Sequence, residues 1–513
     1  MSESKRMIKS ATVVSFFTLL SRILGFVRDV IIAHLFGTQM AAEAFVVAFR
    51  IPNTLRHLVG EGAVNAAVIP VLSEYLPEKE REEFWRVVNI VLNLLVLILI
   101  TVAIAGIIFA PAIVRLIAFG FTEDIQKFEL TVKLTRIMFS FIIFIGLAAY
   151  FMGILNALKH FAAPSVGPCF LNITMIVFGI SLCAKFKEPI LGMAVAVLIG
   201  GFLQLLVQIP ALVGKGFKLH WPMQLFHPAA RKIGKLLAPR ILGSSIYQLN
   251  IFADTLFASL GKIVGGGAVA ALYYANRLIQ FPTAIFGIAL ATVCLPLMSQ
   301  QAQGDNIAGL RKTLRGSLTL LFVVLIPSTV GLFFLAKPII EVLFQRGEFN
   351  AASTQITALA LMYYSLGIFA YSGSKMISTC FYALKDTITP VKVTFFSLLL
   401  NIILNFILMY PLKTGGIALA TSISATCNFF ILFFLLKNKI GGIDLRNLSA
   451  LSLPVLACSV FMGLGCRWEY DFLSRTLPAW LALVLSVISG MIFFFFVVWR
   501  LGILKRIKDY GRA

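Results

Sequence analysis

The sequence predicts an all-α polytopic membrane protein of about fourteen transmembrane helices: two six-helix lobes related by a pseudo-twofold axis along the membrane normal, plus two extra C-terminal helices. Three observations predict it. First, 59% of the 513 residues are hydrophobic and only 13% are charged, with a mean hydropathy of +0.94. A water-soluble domain carries nearly twice that charged fraction. Second, apolar blocks of about 18–25 residues recur along the chain, as in "VVNIVLNLLVLILITVAIAGIIFA" (87–110). Each is long enough to cross about 30 Å of hydrocarbon as a helix, and the alternating pattern of a membrane β-barrel is missing. Third, the chain resembles itself at a nearly fixed offset.

Taken in order, the spans are read near 9–35, 42–74, 85–110, 131–157, 164–184, 189–213, 233–260, 267–299, 314–336, 355–384, 389–411, 415–436, 448–466 and 479–501. The first follows a basic start, "MSESKRMIK", but no small-x-small cleavage site comes after it. It therefore reads as a retained helix and not as a signal peptide. The internal resemblance runs through five collinear matches. "SRILG" (21–25) returns as "PRILG" (239–243), and "AFVVAFRI" (44–51) as "ALYYANRL" (271–278), which aligns Arg50 with Arg277. "VIPVLS" (68–73) matches "CLPLMS" (294–299), "APAIVRLIAFGF" (110–121) matches "AKPIIEVLFQRGEF" (336–349), and "ALKHFAAP" (157–164) matches "ALKDTITP" (383–390). The offset is 218 at the first match and 226–227 at the others. A repeat of six spans restores the same orientation, so the expected layout is an N-terminal lobe at 1–213, a cytoplasmic linker at 214–232, a C-terminal lobe at 233–437 and spans 13–14 with a tail at 438–513.

The net charge of +22 is spread over loops, which argues against a nucleic-acid surface. Basic residues gather at Lys5, Arg6 and Lys9, in the 214–236 loop (Lys215, Lys218, Arg231, Lys232, Lys235), in "RKTLR" (311–315), in "KNK" (437–439) and in the tail. Loops on the opposite side, such as "FGTQMAAE" and "GKIVGGGA", are poorer in them. The positive-inside rule then places both termini in the cytoplasm. The linker reads either as a segment lying on the membrane surface or as a solvated connector. Seven cysteines are scattered without CxxC spacing and the five histidines without HExxH spacing, so no disulfide framework or metal site is expected.

Within this apolar chain the arginines stand out. Arg22 and Arg28 lie on the first span, Arg50 and Arg56 on the second and Arg277 on the eighth. Each charge at a helix centre costs about 2.5–3.5 kcal/mol on insertion scales, and the arginines outnumber their intramembrane acids Asp29, Glu43 and Glu61. Ser21, Gly25 and Arg28 share one helix face, as do Arg22 and Asp29, while Asn53 and Arg56 are one turn apart. Each arginine alone could snorkel or pair internally; together they suggest a water-filled cavity that binds an anion, and arginine's planar fork suits phosphate.

"SRILGFVRD", "AFRIPNTLRHLVGEGA" (48–63) and the NRL of "YYANRLIQFP" (273–282) resemble the signature segments of the MurJ/MviN family, lipid II flippases of the multidrug/oligosaccharidyl-lipid/polysaccharide exporter superfamily. The resemblance covers the full length. It implies a non-enzymatic protein of the bacterial inner membrane that moves undecaprenyl-pyrophosphate-linked disaccharide-pentapeptide outward by alternating access, in contact with membrane lipid and the peptidoglycan synthesis machinery. It also implies Ser21, Arg22, Arg28, Asp29, Glu43, Asn53, Arg56, Glu61 and Arg277 as substrate-binding positions. Two positions depart from the family pattern: Glu43 stands where Asp is frequent, and Asn276 stands where an acid often precedes the arginine. The prenyl tail is expected in lipid, along an apolar groove edged by spans 13 and 14.

No cofactor is expected beyond a coupling ion, Na⁺ or H⁺. Asp254 on span 7 is the candidate ion-coupling residue, with Asn401, Asn405 and Thr421 as oxygen ligands from spans 11 and 12; the alternative is polar glue between helices. Three other functions compete. A flippase for another polyprenyl-linked oligosaccharide is separated only by the motifs. An ion-coupled drug exporter would want an acidic cavity, and a prenyl-phosphate enzyme would want a DDxxD cluster for Mg²⁺.

Overall fold

The computed structural model describes residues 3–60, 63–75, 81–220, 227–304, 306–442 and 445–502; within these, side chains at 3–11, 55–60, 63–66, 238–245, 247 and 445–451 fall outside the description. Twenty-one α-helices are formed by the described residues: α1 Glu3–Phe36, α2 Met40–Gly60, α3 Ala63–Ser73, α4 Arg81–Ile108, α5 Ala110–Ile117, α6 Ile125–Phe139, α7 Phe141–Ala157, α8 Ala162–Val177, α9 Pro189–Leu206, α10 Ile209–Val213, α11 Pro228–Ala258, α12 Gly261–Val264, α13 Ala268–Pro282, α14 Ala289–Gln303, α15 Ile307–Phe334, α16 Ala336–Phe344, α17 Ala351–Ser365, α18 Ile368–Ala383, α19 Ile388–Lys439, α20 Leu445–Leu473 and α21 Ala479–Arg500. None of the described residues forms a strand.

This set of helices is compatible with about fourteen spans. Among the described residues, eight helical stretches are individually long and apolar enough to cross a membrane, and a ninth forms if α17 and α18, bent by 41°, are one span. α1, α2 with α3, α11 and α20 carry the polar or charged residues that blunt their apolar character. α19 accounts for two spans, because it breaks at Lys413, where the backbone turns left-handed (φ 51°). Asn401 Nδ2 lies 3.3 Å from Thr421 Oγ1, whereas twenty residues of continuous helix would separate them by about 30 Å. The two halves therefore fold back as a hairpin. Gly416 closes it: a Cβ there would sit 2.1 Å from the Leu408 carbonyl oxygen. In α21, Trp480 and Trp499 stand exposed at opposite ends, about 28 Å apart along the axis, as an aromatic belt at both interfaces requires.

The sequence repeat reappears as a structural one. α4 and α15 are each 28 residues long, and each is followed by a short helix opened by proline or lysine-proline, then by a broken pair, α6–α7 or α17–α18. The last turns match in detail. Lys159 (φ 56°) and Lys385 (φ 61°) are both left-handed. His160 N donates to Leu155 O at 2.8 Å, and Asp386 N donates to Phe381 O at 2.9 Å. This is the same Schellman end with lysine in the place usually taken by glycine.

By packing, the chain divides into two compact units, Met1–Leu256 and Phe257–Ala513. The first unit thus includes most of α11, although the repeat begins its second copy near the start of that helix. In the first unit the start of the linker is packed, not free. Asn89 of α4 donates through Nδ2 to Lys218 O (3.1 Å) and accepts from His220 N (2.9 Å). Phe217 meets Trp85 and Phe151 at ring-centroid distances of 5.7 and 6.1 Å. Lys232 reaches Glu74 at 2.5 Å. In the second unit, Lys439 bonds Asp386 at 2.5 Å and Arg311 donates to Ile440 O at 2.6 Å, tying three helix ends together.

Candidate functional site

The first-unit site is built on the face that α1 turns toward α8. Arg28 is 5% exposed and Asp29 fully buried. Arg28 donates through Nε (3.0 Å) and Nη2 (2.8 Å) to Asp29 Oδ1, and through Nη1 to Asn172 Oδ1 at 2.9 Å. Asn172 Nδ2 in turn donates to Ser21 O (3.0 Å) and Ser21 Oγ (3.4 Å). Gly25 lies beneath this amide, with room for a Cβ 3.7 Å from Asn172 Nδ2. Behind Asn172, Gly200 of α9 lets the two helices touch, since a Cβ there would be 2.9 Å from Leu171 Cα. The expected face of Ser21, Gly25 and Arg28 is therefore real, and Asn172 knits it together. Arg28 also stands over the Phe49 ring at 6.0 Å. Arg22, by contrast, is exposed, and Asn53 is half-buried on α2. The Arg56 side chain and Glu61 lie outside the described residues.

α2 makes two further polar attachments. Arg50 Nη1 donates to Ile251 O at 3.3 Å and to the Thr255 hydroxyl, and Thr54 Oγ1 donates to Gln248 Oε1 at 3.3 Å. Both join α2 to α11. At the start of α2, where an acid is favoured by the helix dipole, buried Glu43 forms an ion pair with Lys127 of α6. The Lys127 ammonium also sits 4.0 Å from the centroid of Phe121, a cation–π contact.

In the second unit, Arg277 of α13 is half-buried. It donates to Tyr273 OH (3.3 Å) and Gln280 Oε1 (3.5 Å) and lies 5.4 Å from the Tyr273 ring centroid. Gln280 Nε2 is held by Asn276 Oδ1 at 2.6 Å, so the asparagine in the departing position braces the side chain that Arg277 uses. Asn401, Asn405 and Thr421 do come together. Asn401 Nδ2 donates to Thr421 Oγ1 (3.3 Å), Asn405 Nδ2 donates to Asn401 Oδ1 (2.9 Å), and Thr421 Oγ1 donates to Ile417 O (2.9 Å). Asp254 is buried on α11 in the first unit. A cavity of about 800 Å³ also opens in the second unit, walled by Phe322 and Phe333 of α15, Phe369 of α18, Phe429 and Phe433 of α19 and Leu456 of α20. α20 is the expected span 13. Among the described residues no cluster of three or more metal-ligating acids, histidines or cysteines occurs.

Comparison with known proteins settles the family. The sequence model described as lipid II flippase MurJ matches residues 32–497. The chain belongs to the lipid II flippase MurJ family. Among its MurJ relatives, a probable lipid II flippase of Buchnera aphidicola subsp. Acyrthosiphon pisum is 36% identical over 83% of both chains. The lipid II flippase of Burkholderia cenocepacia is 34% identical over 84% of both. A solved structure of lipid II flippase MurJ in an inward closed conformation is 28% identical, covering 96% of this chain and 99% of that one, with a TM-score of 0.79. An inward-facing multidrug transporter of the MATE family, at 16% identity and a TM-score of 0.68, shares the fold. The protein is thus a multi-pass membrane transporter of the MurJ family.

Sequence reasoning missed Asn172, Lys127 and Thr255. Asn172 had a legible signal, a lone amide inside the apolar run "CFLNITMIV" (169–177). Lys127 and Thr255 had none, since their partners come from other helices.

Proposed function

We propose that this chain moves lipid II, undecaprenyl-pyrophosphate-linked disaccharide-pentapeptide, from the cytoplasmic to the periplasmic leaflet of the bacterial inner membrane by alternating access. Both termini are cytoplasmic, and the peptidoglycan synthesis machinery supplies and receives the substrate. Arg28, Arg56 and Arg277 carry recognition of the pyrophosphate, with Ser21, Arg22 and Asn53 bonding the headgroup. Asp29 and Glu61 balance charge around them, and Glu43 lines the site while held by Lys127.

The observation that carries this reading is Arg28, a residue 5% exposed inside an apolar bundle whose guanidinium is gripped from two sides. A group so costly to bury is by default functional, and its planar fork is preset for a bidentate oxyanion. The aromatic cavity in the second unit is the right chemistry for a prenyl segment, and the tail needs no charged contact. Coupling to Na⁺ or H⁺ would act through Asp254, with Asn401, Asn405 and Thr421 supporting it; a cation that favours one conformation supplies the drive.

The test is rescue of a strain depleted of its own lipid II flippase. Expression of this chain restores growth and cell shape, and failure to rescue at normal membrane levels would overturn the reading. Cysteine labelling tests the orientation: residues at 218 and 311 label from the cytoplasm, and those at 266 and at 39, beside buried Thr38, from outside.

A further inference from the structure

We infer that Asn172 is a positioning residue for anion recognition, one that works because it is a neutral acceptor; the inference rests on Arg28 being a pyrophosphate ligand. Its side-chain oxygen takes Arg28 Nη1 at 2.9 Å, and its amide is fixed by Ser21 O and Oγ at 3.0 and 3.4 Å. The Ser21 contacts set which end of the amide faces the guanidinium, so the acceptor cannot turn away. Asn172 stands on α8, whose path is fixed by close contact with α9 at Gly200. Arg28 is therefore aimed by a second helix as well as by its neighbour Asp29, whose Oδ1 accepts from both Nε and Nη2.

Chemistry explains why this position holds an amide. An aspartate has the same shape and would accept from Nη1 equally well. It would add a full negative charge beside the guanidinium, in surroundings where charges a few ångströms apart interact strongly. That charge would repel an incoming pyrophosphate and hold Arg28 against it. The amide orients the guanidinium without competing for it.

The test uses the full-length protein in nanodiscs, with undecaprenyl pyrophosphate as the probe and undecaprenol, which lacks the charged head, as the control. Asn172→Ala weakens undecaprenyl pyrophosphate binding about 10-fold, the effect of losing one charge-assisted hydrogen bond. Asn172→Asp weakens it about 100-fold. The exchange Asp29→Asn with Asn172→Asp restores the charge count and regains most of that loss. Undecaprenol binding stays the same throughout, which a merely structural role would not give. Wild-type affinity in Asn172→Asp, or an exchange variant no better than Asn172→Asp alone, overturns the inference. If Asn172→Asp does not accumulate in the membrane, wild-type affinity in Asn172→Ala overturns it instead. A wild-type protein that does not prefer the pyrophosphate over undecaprenol overturns the functional reading itself.

Discussion

Replacing Lys127 with methionine separates structural charge from functional charge in this bundle. The Glu43–Lys127 pair joins α2 to α6, with side chains only 3% and 13% exposed. Lys127→Met keeps most of the apolar stem but removes the cation that balances a buried carboxylate. Breaking a buried pair from one side costs about 3–5 kcal/mol, and loss of the contact with the Phe121 ring adds about 0.5–1 kcal/mol. Replacing both partners, Glu43→Gln with Lys127→Met, leaves no buried charge and recovers most of the loss. A thiol-reactive dye followed during heating in detergent reads this directly, because five of the seven cysteines are buried and two of those, Cys169 and Cys183, lie in the same unit. Unfolding of such proteins is often irreversible, so the readout is an apparent melting temperature at a fixed heating rate. The single variant melts several degrees below wild type, and the double variant melts between the two. A single variant that melts with wild type, or a double variant no more stable than the single, would refute the assignment of this pair to the frame of the first unit.

Other consequences are as direct. Arg28→Ala, Arg56→Ala and Arg277→Ala each abolish complementation at normal membrane levels, and the lysine variants rescue poorly because a point charge lacks the bidentate fork. Lys439 beside Asp386, with the Thr389 amide and hydroxyl, holds that carboxyl at about 2, below its ordinary 3.8. The stabilisation is complete above about pH 4 and is lost as pH falls toward 2; Asp386→Asn melts lower than wild type at pH 6, and the two converge near pH 2. Asp254→Asn weakens transport and removes its dependence on Na⁺ or on the proton gradient, measured in proteoliposomes with imposed gradients; unchanged ion dependence would leave Asn401, Asn405 and Thr421 as helix packing alone.

Much of the fold was legible because a membrane solvent simplifies the sequence code. Runs such as 87–110 announce spans by length alone, and the offset of 226 between "ALKHFAAP" and "ALKDTITP" extends to a shared left-handed lysine. The breaks were harder to read. The turn at Lys413 does fall in the gap between the spans read at 389–411 and 415–436, but the bent α17–α18 pair reads as one span because hydropathy registers composition and not axis direction. For the site, periodicity found the face of Ser21, Gly25 and Arg28, since helical spacing is local. The partners were not local: Asn172 lies 144 residues from Arg28, and Lys127 lies 84 from Glu43. Glu43 could be counted against the arginines from its sequence alone, whereas its ion pair with a lysine on α6 follows only from packing.

The central claim is that intramembrane arginines recognise a pyrophosphate. Proteoliposomes carrying fluorescent lipid II in one leaflet test it most directly, with dye accessibility reporting translocation. The account predicts translocation by the wild-type protein that excess undecaprenyl pyrophosphate blocks and undecaprenol does not, and no translocation by Arg28→Ala. Equal inhibition by undecaprenol, or translocation by Arg28→Ala at the wild-type rate, would contradict it.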